Sequence, residues 1–302
     1  LNVVNGCQSL STIFSCSELA KKADNAYILF RFYEISDAER ADSISTSTNS
    51  QSAVKARDLR SNDKAVLAMK RAYEQFYPDG YFVTKRGEKV DSVKYNKAHV
   101  VNLTDLGKQL IAWHSQRPNL SYGETKIFDK YFDQLFRREY APENIQALNV
   151  LFSTLYAKWD KDNPMGLNET LLAMKSYAPY HQLYAISVIF CEINKMNDSV
   201  PSPAVVLKKL NAGGLLDTVV ETAGSCLNMA LETASSEATD SGKMFVPQNW
   251  IKSKTSLKDL RTAIKQYLAS LKMMPGGKQV LSQLNANLEM NKEDFDSRWT
   301  AD

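Results

Sequence analysis

The spacing of hydrophobic residues changes near residue 100 of this 302-residue chain. Before that point, apolar runs at residues 1–4 and 26–33 flank a segment with helical spacing, and the order strand, helix, strand predicts a βαβ unit. From Asn102 onward, apolar residues recur every three or four positions, which is typical of packed helices. The chain is therefore predicted to be α+β, with a small N-terminal α/β sheet part at residues 1–100 and a large all-helical part at residues 101–302.

Two local elements are predicted in the stretch before residue 100. Ser61 is expected to cap a helix, because apolar residues follow it at the spacing of one helix face. The members of that face are Val66, Met69, Tyr73 and Phe76. Residues 81–90 are expected to form a hairpin of two strands that turns at Arg86-Gly87.

Residues 180–196 form the segment of the helical part that is apolar on nearly all sides. A helix of that kind is buried, so this segment is predicted to lie at the centre of a bundle. It carries His181, which we expect to be a hydrogen-bonded core residue. Residues 235–243 are predicted to be a flexible loop. No apolar run reaches the length of about 18 residues that a membrane helix needs, so no membrane span is predicted.

The most polar part of the chain is the segment at residues 47–63, which lies between two helical patterns. It places the amides of Asn49 and Gln51 close in sequence to cations and carboxylates, namely Lys55, Arg57, Asp58, Arg60 and Asp63. Loops of this kind often bind ligands, although a solvated connector between helices has the same composition. Asn5, Gly6 and Gln8 follow the first apolar run, where a βαβ unit can bind an anion, although the Asn-Gly pair on its own favours a plain turn.

The composition is that of a globular protein, with 44% hydrophobic and 24% charged residues. The 37 basic residues exceed the 34 acidic ones by three, and the first 100 residues hold 15 of the basic and 12 of the acidic ones. This mild excess permits a partner that carries phosphate but does not demand one. The four cysteines lack the paired spacing of a zinc site, and no signal-like segment is present, so reduced thiols in a cytoplasmic protein are predicted. The sequence identifies neither a metal site nor a cofactor.

Three blocks of the sequence resemble the abortive-infection phage-resistance (AIPR) family. Val3-Val4-Asn5-Gly6-Cys7-Gln8-Ser9 is similar to its first block, in which the last position is usually Thr. Thr48-Asn49-Ser50-Gln51 and the run to Asp63 resemble its second block, and Tyr81-Phe82 with Lys85-Arg86-Gly87-Glu88 resembles its third. The resemblance covers residues 1–140 well, and it implies a bacterial or phage-related cytoplasmic protein of antiviral defence. Family members carry a region ahead of the first block, so we expect Leu1 to lie inside a longer protein.

The blocks lead to two main hypotheses about function. In the first, Asn5, Gly6, Gln8, Asn49 and Gln51 converge on one site that binds nucleic acid or a nucleotide, and Lys55, Arg57, Asp58 and Arg86 complete it. In the second, the helical part is a scaffold that acts through a protein partner or a second copy of the chain, and the polar blocks only fix a loop.

A nuclease is a third and minor hypothesis. Lys55, Asp58 and Asp63 would supply its catalytic group, together with Glu34 from a neighbouring strand. The first two blocks also resemble proteins with a partition-protein/sulfiredoxin-like fold, some of which bind DNA or nucleotides. The His and Arg that follow Gln in that pattern are missing after Gln8, so phosphate chemistry of that type is not predicted. Whether the chain is an enzyme stays open.

Substitution of Asn49 separates the first two hypotheses. We expect Asn49→Ala to abolish phage resistance in a plating assay of the full-length protein. If Asn49 contacts a ligand, the melting temperature should barely change. If it only fixes the loop, the variant should also lose about 1 to 3 kcal/mol of stability, the usual cost of an unsatisfied buried partner. Normal resistance with normal stability would contradict both roles.

Overall fold

The computed structural model describes residues 7–23, 25, 27–28, 56–160, 162 and 165–299. The chain forms two compact units, Leu1–Lys55 and Ala56–Asp302. Compactness alone does not show which segments fold independently, so the division into domains at residue 100 stays a prediction.

The first unit contains helix α1 (Cys7–Ser15) and helix α2 (Ser17–Ala20). They confirm the helix predicted after the first apolar run, which here begins at Cys7 and is divided at Cys16. The strand predicted at residues 26–33 is wrong at Tyr27 and Ile28, because both are exposed and neither lies in a strand. The predicted first strand and the rest of the second lie outside the described residues.

The second unit begins with helices α3 (Ala56–Arg60) and α4 (Lys64–Phe76) and strands β1 (Tyr81–Val83) and β2 (Val100–Asn102). The elements that follow are α5 (Leu103–Trp113), α6 (Glu124–Phe128), α7 (Phe132–Phe136), α8 (Pro142–Ala157), α9 (Glu169–Leu172), α10 (Pro179–Asn194), β3 (Ser199–Pro201), α11 (Pro203–Ala212), α12 (Leu216–Asp240), α13 (Pro247–Ile251), α14 (Thr255–Ser270), α15 (Gly277–Leu288) and β4 (Phe295–Ser297). Two small sheets among many helices confirm the α+β prediction. No described helix combines the length and the apolar content that a membrane crossing requires.

Strand β1 pairs with β2 in parallel, with Phe82 opposite Val101. The hairpin predicted at residues 81–90 is therefore wrong, although the chain does turn at Gly87, where φ is 72°. Helix α4 replaces the missing partner strand. Its Lys70 donates a hydrogen bond to the carbonyl of Phe82 at 2.7 Å, and its Glu74 accepts one from the amide of Phe82 at 3.0 Å. Because these side chains satisfy the free edge of β1, no returning strand is needed there.

Helix α10 is the centre of the second unit, as predicted. Every residue from Pro179 to Cys191 is buried, and the helix contacts α5, α8, α12 and α14. Gln182 on this helix pairs with other segments: it accepts from the Trp159 indole and donates to the Val220 carbonyl. His181 is a buried core residue whose Nε2 atom lies 3.3 Å from Ser256 Oγ, while its Nδ1 atom has no partner among the described residues. The buried helix thus pairs its glutamine with distant groups but does not satisfy every polar atom.

Three boundaries differ from the predictions. The cap of α4 is Asp63, which accepts from the Ala65 amide at 2.9 Å, whereas Ser61 donates to the Asp58 carbonyl and closes α3. Phe76 ends the inward face of α4 and is half exposed. Helix α12 continues to Asp240, so most of the predicted loop at residues 235–243 is helical.

Candidate functional site

The structure describes three of the nine predicted site residues with their side chains. Arg57 and Asp58 lie on α3, and Arg86 lies in the turn after β1. The backbone of Gln8 lies in α1, but its side chain is outside the described part, as are Asn5, Gly6, Asn49, Gln51 and Lys55. Convergence of the two amide blocks on one site therefore stays a prediction.

The three described residues come together in space. The Arg86 Nη2 atom lies 2.7 Å from Oδ2 of Asp58, and the Arg57 Nη1 atom lies 3.9 Å from Oδ1 of the same carboxylate. Asp58 and Arg86 are 28 positions apart in sequence, so the contact joins the end of the second block to the third. We call Arg57, Asp58 and Arg86 the signature cluster.

Arg57 and Arg86 differ in their access to solvent. The Arg57 side chain is only 4% exposed, and its Nε atom has no hydrogen-bond partner among the described residues. Burial raises the pKa of Asp105 on α5, and the positive charges of Lys108 and Arg57 partly oppose that rise. The Arg86 side chain is 48% exposed. An anion from solvent can therefore meet Arg86 directly and exchange with Asp58.

Two neighbours of the signature cluster have structural roles. Arg60 donates from Nε to the Phe128 carbonyl at 3.2 Å, and its guanidinium lies 4.2 Å from the centre of the Phe132 ring. Asp63 caps α4 and lies within 4 Å of two arginines, Arg60 and Arg137. The Asp63 carboxylate is thus already occupied, which does not suit the catalytic role that the nuclease hypothesis gives it. Lys55 and Glu34, the other members of that group, are outside the described residues.

A second polar surface was not predicted from the sequence. It consists of tyrosine and phenylalanine rings with lysines over them, and we call it the tyrosine–lysine face: Lys108, Tyr122, Phe152, Tyr156, Lys175, Tyr177, Tyr180 and Lys252. The ring of Phe152 stacks on Tyr180 at 4.5 Å and on Tyr156 at 5.6 Å between centres. The Nζ atom of Lys175 lies 4.9 Å from the centre of the Tyr156 ring.

Lysines extend this face in both directions. Lys252 lies over two rings, with its Nζ atom 5.1 Å from the centre of Tyr122 and 5.0 Å from that of Tyr177. Lys108 lies 5.7 Å from the centre of Tyr180. In the part of the chain that the structure describes, no carboxylate lies within 4.0 Å of any of these three ammonium groups. Their positive charge is therefore available to a ligand.

Two rings of this face are exposed, Tyr122 at 44% and Tyr156 at 40%, although both are large aromatic side chains. The ring of Tyr180 is buried and supports them. One local signal could have indicated the face, because Lys175, Tyr177 and Tyr180 alternate within six residues. The pairing of Lys252 with Tyr122 joins residues far apart in sequence and has no local signal.

Comparison with known proteins gives one match. A protein-family model described as AIPR protein matches residues 1–270, a range that includes both the signature cluster and the tyrosine–lysine face. No curated protein and no solved structure matches the chain.

Proposed function

The chain belongs to the AIPR family, and from this premise we propose that it binds single-stranded nucleic acid through its tyrosine–lysine face. Family membership supports a role in abortive-infection resistance to phage. The observation that carries the proposal is the pair of exposed rings, Tyr122 and Tyr156, each beside a lysine that has no carboxylate partner among the described residues. Proteins that bind single strands combine aromatic rings, on which bases stack, with cations that meet the phosphates.

The form of the face favours a single strand over a duplex. The bases of a duplex stack on one another, whereas the bases of a single strand are free to stack on Tyr122 and Tyr156. Lys175 and Lys252 lie over ring faces that a base would occupy. Both sit on flexible stems, so they can move aside and contact the adjacent phosphates at little cost.

The signature cluster gives the strand a second point of attachment. Arg57 acts on Asp105, and Lys108, which also acts on Asp105, belongs to the tyrosine–lysine face. Arg86 would exchange Asp58 for a phosphate, since guanidinium groups bind both oxyanions in the same forked geometry.

Tyr156→Ala should weaken the binding of a labelled single-stranded oligonucleotide by about 5-fold to 150-fold, because stacking contributes roughly 1 to 3 kcal/mol per base. Lys175→Gln should lower the slope of log K against log salt by about 0.7, the value for one phosphate contact on a single strand. Fluorescence anisotropy over a salt series measures both effects.

Tyr95→Ala is the matched control for these variants. Tyr95 also carries a lysine near its ring, with Lys94 Nζ at 4.9 Å from its centre, but it lies in the loop before β2. It should bind the oligonucleotide as the wild type does. No binding by the wild-type chain would refute the proposed function, and normal binding by Tyr156→Ala would place the strand elsewhere.

A scaffold that acts through a protein partner is the second candidate. It is favoured by Asp63 and Arg60, which belong to the polar segment and tie it to α4 and to Phe128. A purified chain that binds no nucleic acid but copurifies stoichiometrically with one cellular protein would support this candidate over the first.

A further inference from the structure

Two arginines without carboxylate partners lie close together in the helical part of the second unit. Arg261 is on α14, and Arg298 follows β4. Within the described residues, neither guanidinium has a carboxylate oxygen within 4.0 Å. Arg261 donates to Gln116, and Trp299, the residue after Arg298, donates its amide to the His114 carbonyl, so both arginines lie beside the same short segment of the chain. Burial and the charge of Arg261 lower the pKa of Arg298.

Arg261 is held firmly in place. Its Nε atom donates to the Tyr184 hydroxyl at 2.6 Å, and its Nη2 atom donates to Oε1 of Gln116 at 3.0 Å. Gln116 is itself fixed, since its amide donates to Ser187 Oγ at 2.8 Å and its backbone takes a left-handed φ of 53°. These bonds use two of the five N–H donors of Arg261 and leave the others free to bind a ligand.

Arg298 is positioned by its neighbour in the chain. The amide of Trp299 donates to the His114 carbonyl at 3.1 Å, and the Trp299 ring stacks on His114 at 4.3 Å. The Nε atom of Arg298 is buried, and the described part of the chain offers it no hydrogen-bond partner. A buried donor on a cation is costly to leave unpaired, so burial and the lack of a partner both disfavour the charged Arg298 in the absence of an anion.

We propose that Arg261 and Arg298 bind one phosphate group between them, either as free phosphate or as part of a small phosphomonoester. A dianion would neutralise both guanidinium groups and relieve their repulsion. The charge of Asp198 raises the pKa of Arg298. Among the described residues, however, Asp198 does not come within 4.0 Å of Arg298 to form an ion pair. Glu192 lies 3.6 Å from Lys265 instead.

This site contains no residue of the tyrosine–lysine face or of the signature cluster. Its existence therefore does not depend on the binding of nucleic acid, and the two proposals can fail separately. Gln116, Tyr184, Arg261 and Arg298 come from four different segments of the helical part, so the site forms only in the folded chain.

Thermal melting of the full chain tests the proposal, with inorganic phosphate, glycerol 3-phosphate or acetate added at constant ionic strength. Both phosphates should raise the melting temperature and acetate should not, because acetate carries a single charge. A response to inorganic phosphate alone would identify the free ion as the ligand, and a stronger response to glycerol 3-phosphate would identify the ester. Arg298→Gln should remove the response and, without phosphate, should melt at the same or a higher temperature because the repulsion is gone.

Phosphate also stabilises proteins in general by exclusion from their surface, so a matched control is needed. Lys265→Gln removes an exposed cation from the same helix and should keep the full response. Arg298→Lys keeps the positive charge but loses the planar set of N–H donors that can bind two phosphate oxygens at once. Calorimetry should show that it binds phosphate about tenfold more weakly. If Arg298→Gln does not fold, Arg298→Lys decides the question. A wild type that responds equally to phosphate and acetate, or an Arg298 variant with wild-type phosphate affinity, would overturn the proposal.

Discussion

Lowering the pH from 7 to about 4.5 is expected to remove about 5 kcal/mol of stability through two buried histidines. Burial lowers the pKa of His114 and that of His181 to about 3 each, and Arg138 adds to the effect at His114. The unfolded chain binds the same protons at the ordinary pKa near 6.5. Unfolding therefore takes up protons between these values, so the stability is complete above pH 6.5 and is lost as the pH falls toward 3.

His114→Phe is expected to recover about half of that loss at pH 4.5 and to change little at pH 7. Neither ring nitrogen of His114 has a hydrogen-bond partner in the described part of the chain, so a phenyl ring leaves no new group unpaired. It can also keep the stack on Trp299. Urea unfolding of both proteins at the two pH values gives the difference in free energy.

His99→Gln is the control for this prediction. The His99 ring is partly exposed and contacts Asp79 at 2.8 Å, and its removal leaves both buried histidines in place. The control should keep the loss of stability that the two buried histidines cause on acidification. A His114→Phe variant that is equally sensitive to acid would show that His114 does not take up a proton on unfolding.

The helices were predictable because their signals are local. Helix α10 combines a long apolar run with Pro179 in its first turn, and both features act within the segment itself. The pairing of β1 with β2 has no such signal. It depends on Lys70 and Glu74 of the preceding helix, α4, whose side chains form hydrogen bonds with the backbone of Phe82 on the edge of β1 that faces away from β2. A local pattern cannot distinguish that arrangement from a hairpin.

The candidate sites were predictable only where their residues carry a local sequence signal. The sequence blocks pointed to Arg57, Asp58 and Arg86, and the structure brings these three together. The blocks did not specify that Asp58 would be the residue that joins them. The tyrosine–lysine face and the arginine pair are assembled from segments far apart in sequence. Their members look like ordinary surface lysines and core aromatics until the fold places them side by side.

Gln182→Leu is expected to destabilise the protein by about 3 kcal/mol, because it leaves two buried groups without partners. The Gln182 side chain is fully buried on α10. Its Oε1 atom accepts from the Trp159 indole at 2.5 Å, and its Nε2 atom donates to the Val220 carbonyl at 2.7 Å. Leucine fills a similar volume but offers neither group a partner, and each orphaned group costs about 1 to 3 kcal/mol, part of which the added apolar contact offsets.

Gln266→Leu on α14 makes the same chemical change at an exposed position and should alter the stability by no more than about 0.5 kcal/mol. Urea unfolding at pH 7.5 compares the two variants without titrating the buried histidines. Since Gln182 links α10 to α12 and to Trp159, which follows α8, its loss should lower the midpoint of the whole transition and leave the transition cooperative. A Gln182→Leu variant as stable as Gln266→Leu would show that Trp159 and Val220 find other partners, and that this buried amide does not hold these segments together.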